Sequence, residues 1–189
     1  MQLNASIVAA GCGSTVLRAS QWVQPIQSAC DRYEINTPLR IAAFLATVGV
    51  ESGRLVWVRE IWGPTPAQSL YEPQSKKAAQ LGNTEPGDGR KFCGRGCIQV
   101  TGRSNYAACG KALGLDLISH PELLEQPANA ALSAAWFWST HKINGLADGG
   151  DFLAVSRAVN LGSATSRAMP NGYSERLALY GAAKKSLGV

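Results

Sequence analysis

Glu51 and Glu60 are the residues of this sequence whose type and spacing best suit acid–base chemistry. Glu51 continues the spacing of an apolar helix face, which predicts a partly desolvated carboxyl group. Desolvation favours the protonated form of a carboxyl group, and a general acid must be protonated before it acts. The alternative is a glutamate at a helix end that simply turns toward water.

Glu60 can serve as the partner of Glu51 only if the chain reverses between them. Nine residues of unbroken helix would set the two carboxylates about 13 Å apart along the axis, on opposite sides. If Gly53 ends the helix and the chain folds back, both carboxylates can face one cleft with room for a water molecule. That arrangement belongs to inverting glycoside hydrolysis. Glu72 and Glu85 remain competitors for the role of base.

A polar stretch in the middle of the chain, "CGRGCIQVTGRSNYAACG" at 93–110, is a second candidate for chemistry. A strand-like "CIQVT" would present Gln99 and Thr101 on one side, and Asn105 would join them if a helix begins just before it. An amide and a hydroxyl so placed can bind sugar hydroxyls or orient a water. Arg95 is expected to pair with a buried carboxylate. An ordinary tight turn is the alternative.

The elements that must position these residues are mostly helices. Thr37 followed by Pro38 is a strong helix start and predicts a helix to about Ser52. The alternation in "RLVWVRE" predicts a short strand after Gly53, and the polar composition of 63–89 predicts a long loop. The predicted buried face of the helix that starts at Pro38 consists of Ile41, Phe44, Leu45 and Val48.

Further helices are predicted on both sides of this region. One runs from about Ser14 to Cys30, kinked or divided at Pro25. Others begin near Pro121 and Pro127, and the apolar "ANAALSAAWFWST" is the predicted central core helix. Two more are expected at about 151–160 and 173–185. The pattern predicts a mainly α fold with a small β region.

Composition narrows the class of protein. A chain of 189 residues with 46% hydrophobic and 16% charged residues is expected to form one folded domain. The formal charge of +5 favours an anionic partner, but the basic residues are scattered, so we expect no nucleic-acid binding. A bacterial cell wall fits this charge. No apolar run is long enough to cross a bilayer.

Several other features have plain interpretations. Five cysteines, an odd number, are expected to be free and mostly buried. The stretch "ASIVAAGCG" lacks the basic leader of a signal peptide, so we expect no export signal. His120 and His141 lie far from any ligand cluster and are expected to be structural or surface residues. We expect no metal and no cofactor.

Six blocks of the sequence resemble, in order, glycoside hydrolase family 19, especially its bacteriophage endolysin branch. They are "AAFLATVGVESG", "VRE", "GRGCIQVTGRSNY", "LISHPELLEQPANAALSAAWFW", "AVNLG" and "NGYSER", which together cover roughly residues 37–180. The resemblance implies a lysozyme-like α+β fold with a small β region and a substrate cleft. It also implies a single catalytic domain over 1–189, without a separate wall-binding domain.

The resemblance assigns roles by motif position. Glu51 becomes the general acid and Glu60 the general base that activates water, and Thr101 helps to hold this water. Gln99 and Asn105 match sugar-binding positions, and Asn160 and Arg176 match a distal asparagine and arginine near the acid, which are also expected to help bind substrate. Independently of the family, Trp62 lies beside Glu60 and is favoured for stacking on a sugar, whereas Trp57 is as easily explained by packing.

Two departures from the family pattern keep alternatives open. Val50 stands where the family commonly has a histidine, and "VNLGSATS" matches the distal asparagine block only loosely. The favoured function is a muramidase-type endolysin that hydrolyses β-1,4 bonds of peptidoglycan. It would be a monomer, held in the host cytoplasm until release, with only peripheral contact to the envelope. The alternatives are a chitinase, a lytic transglycosylase and an inactive wall-binding module.

Overall fold

Helices form almost all of the regular structure of this protein, and residues 1–189 are described by a computed structural model. Two isolated β-bridges, Arg59 with Arg95 and Arg95 with Val100, are its only β structure. The predicted mainly α fold with a small β region is therefore confirmed. The helices are α1 (Ala5–Cys12), α2 (Val16–Ser20), α3 (Val23–Arg32), α4 (Pro38–Glu51), α5 (Pro66–Ser69), α6 (Lys76–Leu81), α7 (Asp88–Lys91), α8 (Arg103–Leu113), a 3₁₀ helix (Pro121–Glu125), α9 (Pro127–Thr140), α10 (Ile143–Asp148), α11 (Phe152–Leu161) and α12 (Tyr173–Leu187).

Helix α4 is the centre of the fold and ends at the first candidate carboxylate. Thr37 Oγ1 accepts the N–H of Arg40 at 3.2 Å, and Pro38 occupies the first turn, as predicted. Every residue from 41 to 49 is buried, so neighbours cover all faces of the helix rather than the one face predicted. At Gly49 a Cβ would lie 2.6 Å from the backbone of Cys12, so α1 crosses α4 where only glycine fits.

Helix α9 lies beside this centre and is not the central helix that the sequence predicted. It buries a narrow stripe of small residues together with Trp138 against the core. Leu132, Trp136 and Phe137 are only partly buried. The apolar composition of α9 was a poor guide because its large side chains lie at the margins: Leu132 and Phe137 pack at the edge of the main core, and Trp136 packs against a smaller apolar cluster.

The N-terminal helix predicted from Ser14 to Cys30 is two helices. Thr15 rather than Ser14 caps α2, and the break falls at residues 21–22, before Pro25. Pro25 therefore sits in the first turn of α3, where its missing N–H removes no hydrogen bond. Helices α1 and α10 had no predicted counterpart.

The strand predicted at "RLVWVRE" is wrong. Gly53, Arg54 and Leu55 all have positive φ, at 55°, 65° and 65°, and the N–H groups of Val56 and Trp57 both donate to Ser52 O. The turn therefore uses the backbone N–H groups that a strand would donate to a neighbouring strand. The bridge at Arg59 is the only β pairing left in this segment. The chain turns sharply after α4 at these residues, and the pairing of Glu51 with Glu60 across one cleft stays a prediction.

The long loop predicted for 63–89 contains two short helices, α5 and α6, and the start of α7. Thr65 caps α5 and Ser75 caps α6 through their side-chain oxygens. The Asp88 carboxylate accepts the N–H groups of Thr84 and Glu85 at 2.9 and 3.0 Å. Polar residues therefore build this segment through caps and turns.

The five cysteines are free and buried, which confirms that prediction. Cys12 Sγ donates to Leu45 O at 3.3 Å, and burial raises the pKa of Cys30 to about 12. Thiols in this state are poor nucleophiles because the thiolate is the reactive form. None of the helices is long and apolar enough to span a membrane.

Candidate active site

Glu51, the last residue of α4, is held by a guanidinium group from the other end of the chain. Its Oε1 accepts a hydrogen bond from Nη2 of Arg176 in the first turn of α12. The arginine side chain is 3% exposed and that of the glutamate 21%. Glu51 Oε2 has no hydrogen-bond partner within the protein, so one oxygen of the carboxyl group is held and the other is free.

Asn160 reaches this carboxylate only indirectly. Its Oδ1 accepts the N–H of Asn171 at 2.8 Å, and Asn171 O accepts Nε of Arg176 at 3.0 Å. Nη1 of Arg176 is buried without a partner. The family resemblance placed Asn160 and Arg176 near the acid, and the structure puts Arg176 against it and Asn160 two hydrogen bonds further away.

Glu60 is half-buried, and both its carboxylate oxygens accept hydrogen bonds. The N–H of Gly94 donates to Oε2 at 2.9 Å, and Nε2 of Gln68 donates to Oε1 at 2.9 Å. The backbone N–H of Glu60 in turn donates to Gly94 O at 2.8 Å. Since each carboxylate oxygen has two lone pairs, capacity remains to accept a hydrogen bond from water.

Gln68 is a residue that the sequence analysis missed, although its pattern was readable. Thr65 and Gln68 form a capping box at the start of α5, the T-x-x-Q signature of a helix N-terminus. Gln68 Oε1 accepts the N–H groups of Thr65 and Gly63, and Nε2 donates to Ile61 O as well as to Glu60. The capping box therefore aims one amide N–H at the candidate base.

Glu60 lies in a groove with a volume of about 420 Å³, which we name the Glu60 groove. Trp62 lines it as predicted, with its ring 6.2 Å from that of Tyr71 and tilted by 48°. Trp57 lines it as well and is 54% exposed, so packing does not account for this residue as the sequence suggested. The complete lining is Val56, Trp57, Val58, Arg59, Glu60, Ile61, Trp62 and Arg90.

The segment expected to be a strand at "CIQVT" is a tight turn, the alternative named for it. Gln99 has φ of +56°, its backbone N–H and its Nε2 both donate to Gly96 O, and Thr101 Oγ1 donates to Gln99 O at 2.9 Å. Left-handed backbone at a non-glycine residue costs energy and is often found at functional sites. The turn rather than a strand pleat places these side chains.

Gln99, Thr101 and Asn105 nevertheless line one cavity of about 240 Å³. Asn105 Nδ2 donates to Thr101 O at 2.8 Å. Gly94 connects this cavity with Glu60, because a Cβ at Gly94 would lie 2.6 Å from Gln99 Oε1 and 3.3 Å from Thr101 Oγ1. The other lining residues are Leu81, Ile98, Val100, Trp136, Phe137 and His141.

Arg95 holds the backbone on which Gly94 lies. It is 4% exposed, and its Nε donates to Glu125 Oε1 at 2.7 Å, so the predicted pairing is confirmed with a half-buried carboxylate. Nη1 of Arg95 donates to Lys91 O and to the hydroxyl of Tyr106, which donates to a backbone carbonyl at 2.6 Å. These bonds anchor the segment that supplies the N–H to Glu60.

The competing carboxylates have other partners. Glu72 Oε2 accepts the N–H of Gly87 at 2.8 Å and so helps to hold the turn before α7. Glu85 is exposed and lies 3.2 Å from Arg103. Neither lines the Glu60 groove.

The two histidines are exposed, in agreement with their interpretation as surface residues. His120 pairs with Glu122 at 3.2 Å, whereas His141 stacks on Phe137 with ring centroids 3.9 Å apart. His141 also lines the cavity of Gln99, a position that its sequence context did not indicate.

Comparisons with known proteins place this geometry in a family. The family model described as "Chitinase class I" matches residues 27–148. "Endochitinase CHI" of Arabidopsis thaliana is 37% identical over 121 residues, which are 64% of this chain and 42% of that protein. "Chitinase 4" of rice is 33% identical over 131 residues, which are 69% of this chain and 42% of that protein. The chain thus spans about two fifths of the length of these curated relatives.

Solved structures extend the match to nearly the whole chain. A bacterial family 19 chitinase superimposes with a TM-score of 0.74 and 27% identity, over 99% of this chain and 95% of that one. Chitinase C from Streptomyces griseus has a TM-score of 0.74 at 22% identity, over 99% of this chain and 76% of that one, and supports the fold alone. By the extent of these matches, the chain belongs to glycoside hydrolase family 19 and has the lysozyme-like fold of that family.

Proposed function

We propose that this protein is an inverting, muramidase-type glycosidase that hydrolyses β-1,4 bonds of bacterial peptidoglycan. The observation that carries the proposal is the pair of half-buried carboxylates, each held by its own donors. Glu51 is held by Arg176, and Glu60 by Gln68 and Gly94. Two carboxyl groups with separate environments suit the separate roles of acid and base.

In the proposed reaction Glu51 acts as the general acid. Arg176 holds Oε1 in place, so that Oε2, which has no partner in the protein, carries the proton and points it at the glycosidic oxygen. Transfer of this proton lets the leaving sugar depart as a neutral alcohol. No cofactor takes part in this step.

Glu60 acts as the general base on the opposite side of the sugar. It takes a proton from a water molecule, and the water oxygen forms the new bond to the anomeric carbon as the old bond breaks. Gly94 and Gln68 fix the direction of the carboxylate while lone pairs remain for the water. Thr101, whose Oγ1 lies against Gly94, is the proposed second contact for this water.

Peptidoglycan and cell lysis are the finer part of the proposal. The net charge of +5 suits an anionic envelope, and the ordered sequence blocks resemble the bacteriophage endolysin branch. We further propose that the protein acts as a monomer and a single catalytic domain. It would remain in the host cytoplasm until another protein opens the inner membrane.

Chitin is the second candidate substrate because of the names of the relatives. The matched proteins and structures described above are all named as chitinases. Chitin and the glycan of peptidoglycan share β-1,4-linked amino sugars, so the carboxylate pair serves either polymer. The choice between them depends on groups outside the pair.

Product analysis distinguishes these functions. Purified peptidoglycan and chitin oligomers are digested separately, and the new ends are identified by mass spectrometry. A muramic acid reducing end supports the proposal, a 1,6-anhydro end identifies a lytic transglycosylase, and cleavage of chitin alone identifies a chitinase. NMR of the fresh product should show the inverted anomer.

The matched variants for this assay are Glu51→Gln and Glu175→Gln. The first removes the proposed acid, and the second removes a carboxylate in an exposed pair with Arg54. We expect cleavage to fall at least about 10²-fold in the first variant and to stay within twofold in the second. Equal cleavage rates in the two variants would contradict the assignment of Glu51 as the general acid.

A further inference from the structure

The Glu60 groove contains two guanidinium groups besides the candidate base. Arg59 and Arg90 both line it, and Glu60 is the only carboxylate among the lining residues. Arg59 is partly engaged, since it lies 3.6 Å from Glu125. Arg90 is exposed and takes part in none of the ion pairs of the protein. Its charge is therefore free to meet a ligand in the groove.

The backbone that carries Arg90 is firmly held. Asp88, which is 2% exposed, binds Arg103 at 2.6 and 2.8 Å and caps the preceding turn. On the other side Glu72 accepts the N–H of Gly87, and a Cβ at Gly89 would lie 2.7 Å from Glu72 Oε1. Binding at Arg90 therefore requires no reordering of the backbone, and only the arginine side chain has to be fixed.

The rest of the groove suits the apolar face of a sugar ring. Trp57 and Ile61 are 54% and 72% exposed, and Trp62 stands beside them. Aromatic rings stack well on the C–H faces of sugars, and a volume of about 420 Å³ falls in the range of ligand sites. Aromatic platforms and an unpaired guanidinium group in one groove fit a glycan that carries negative charge.

We propose that Arg90 binds a carboxylate carried by the sugar chain in the Glu60 groove and thereby favours muramic-acid glycans over neutral chitin. This inference rests on the proposed function and specifies its substrate. Chitin has no ionised group, whereas muramic acid carries a lactyl ether whose carboxylate is either free or joined to a stem peptide with carboxylates of its own. The planar fork of arginine binds either carboxylate through two parallel hydrogen bonds.

Binding rather than turnover tests the proposal directly. Three tetrasaccharides of equal length are titrated by calorimetry into the full-length Glu51→Gln protein, which slows hydrolysis. They are peptide-free GlcNAc–MurNAc repeats, the same repeats with stem peptides, and chitotetraose. Each is measured with Arg90 intact, with Arg90→Gln and with Arg90→Lys. Arg18→Gln is the control because Arg18 is also free of ion pairs and lies on α2, outside the groove.

We expect Arg90→Gln to weaken binding of a carboxylate-bearing tetrasaccharide about tenfold and to leave chitotetraose within twofold. Arg90→Lys should have an intermediate effect, and Arg18→Gln should have none. The tenfold difference should shrink as salt is raised from 50 to about 500 mM. A loss confined to the stem-peptide ligand would identify the peptide as the source of the carboxylate, and a loss with the peptide-free repeats would identify the lactyl group.

Equal affinities for all three ligands, with Arg90 intact and in the Arg90→Gln variant, would overturn the proposal. So would an equal loss for chitotetraose, or no binding of the charged ligands by the protein with Arg90 intact. The binding assay and the product assay test separate claims. Cleavage of peptidoglycan together with binding that does not depend on Arg90 would contradict only this inference. Cleavage of chitin alone, together with binding of the charged ligands that does depend on Arg90, would contradict only the proposed peptidoglycan hydrolysis.

Discussion

The side-chain amide N–H of Gln68 donates to Glu60 Oε1 at 2.9 Å, and Oε1 of the same amide accepts the N–H of Thr65 at 2.8 Å. One side chain thus caps α5 and orients the candidate base. The capping box restrains the amide through its other bonds, so the direction of the N–H toward Glu60 does not depend on substrate. A helix start is used here to position a reacting group.

Gln68→Ala should therefore reduce both activity and stability. Loss of the N–H to Glu60 frees the carboxylate to rotate, and we expect kcat to fall about tenfold. Loss of the capping box should lower the free energy of unfolding by about 1 kcal/mol. Gln80→Ala, at an exposed position on α6, is the matched control for kinetics and urea unfolding. An unchanged kcat in Gln68→Ala would show that Glu60 needs no such support.

Arg176→Met should strongly destabilise the protein because it leaves the half-buried Glu51 carboxyl group without its hydrogen-bond donor. Arg176 is 2% exposed, and its loss leaves Glu51 without its partner. We expect the free energy of unfolding to fall by about 2–4 kcal/mol. Arg54→Met breaks the exposed pair with Glu175 and should lower it by less than about 1 kcal/mol. Equal losses in thermal melts of the two variants would contradict this interpretation of the pair.

Stability should decrease in acid through Asp88. Burial opposes its ionisation, but hydrogen bonds from Arg103 and from the N–H groups of Glu85 and Thr84 outweigh burial and lower the pKa of Asp88 below its ordinary value of 3.8. A lowered folded-state pKa contributes stability that is complete above the unfolded value and lost as pH falls through the folded one. The excess stability over Asp88→Asn should therefore be constant near neutral pH and shrink below about pH 4.

Urea unfolding of both proteins between pH 2 and pH 7 measures this difference. Because Arg103 remains in both proteins, general acid effects on the rest of the chain cancel to first order. A difference that stays flat down to pH 2 would show that the ion pair contributes no pH-dependent stability.

Gly53→Ala should disturb the turn that follows α4. Gly53 has φ of +55°, and a Cβ there would lie 2.7 Å from Cδ1 of Trp57. Gly114→Ala is the matched control, because φ is +75° and no atom lies within 4 Å of its added Cβ. We expect about 1 kcal/mol of destabilisation from backbone strain in both variants. A further loss, with changed tryptophan fluorescence, is expected only in Gly53→Ala, and identical behaviour would refute the role of Trp57 there.

Elements whose physics is local could be predicted from the residues alone. Thr37 and Pro38 start α4 because the cap and the fixed proline φ act within one turn, and the helix ends at Glu51 as its pattern predicts. Helix α11 likewise starts at a local cap, Asp151, and the helices predicted at about 151–160 and 173–185 agree with α11 and α12. The strand predicted after Gly53 is a turn, and these short-range rules could not show it. Alternation of side chains does not indicate which carbonyl groups accept the backbone N–H groups.

The packing of segments far apart in the chain sets what each carboxylate contacts. Arg176 meets Glu51 across 125 residues of chain and Gly94 meets Glu60 across 34, distances over which spacing carries no information. It likewise made α4 rather than α9 the central helix, and it left Arg90 without a partner in a groove with Trp57 and Trp62. Hydrogen-bond partners, burial and free charge depend on which surfaces pack together, whereas periodicity and caps depend on neighbours a few residues away.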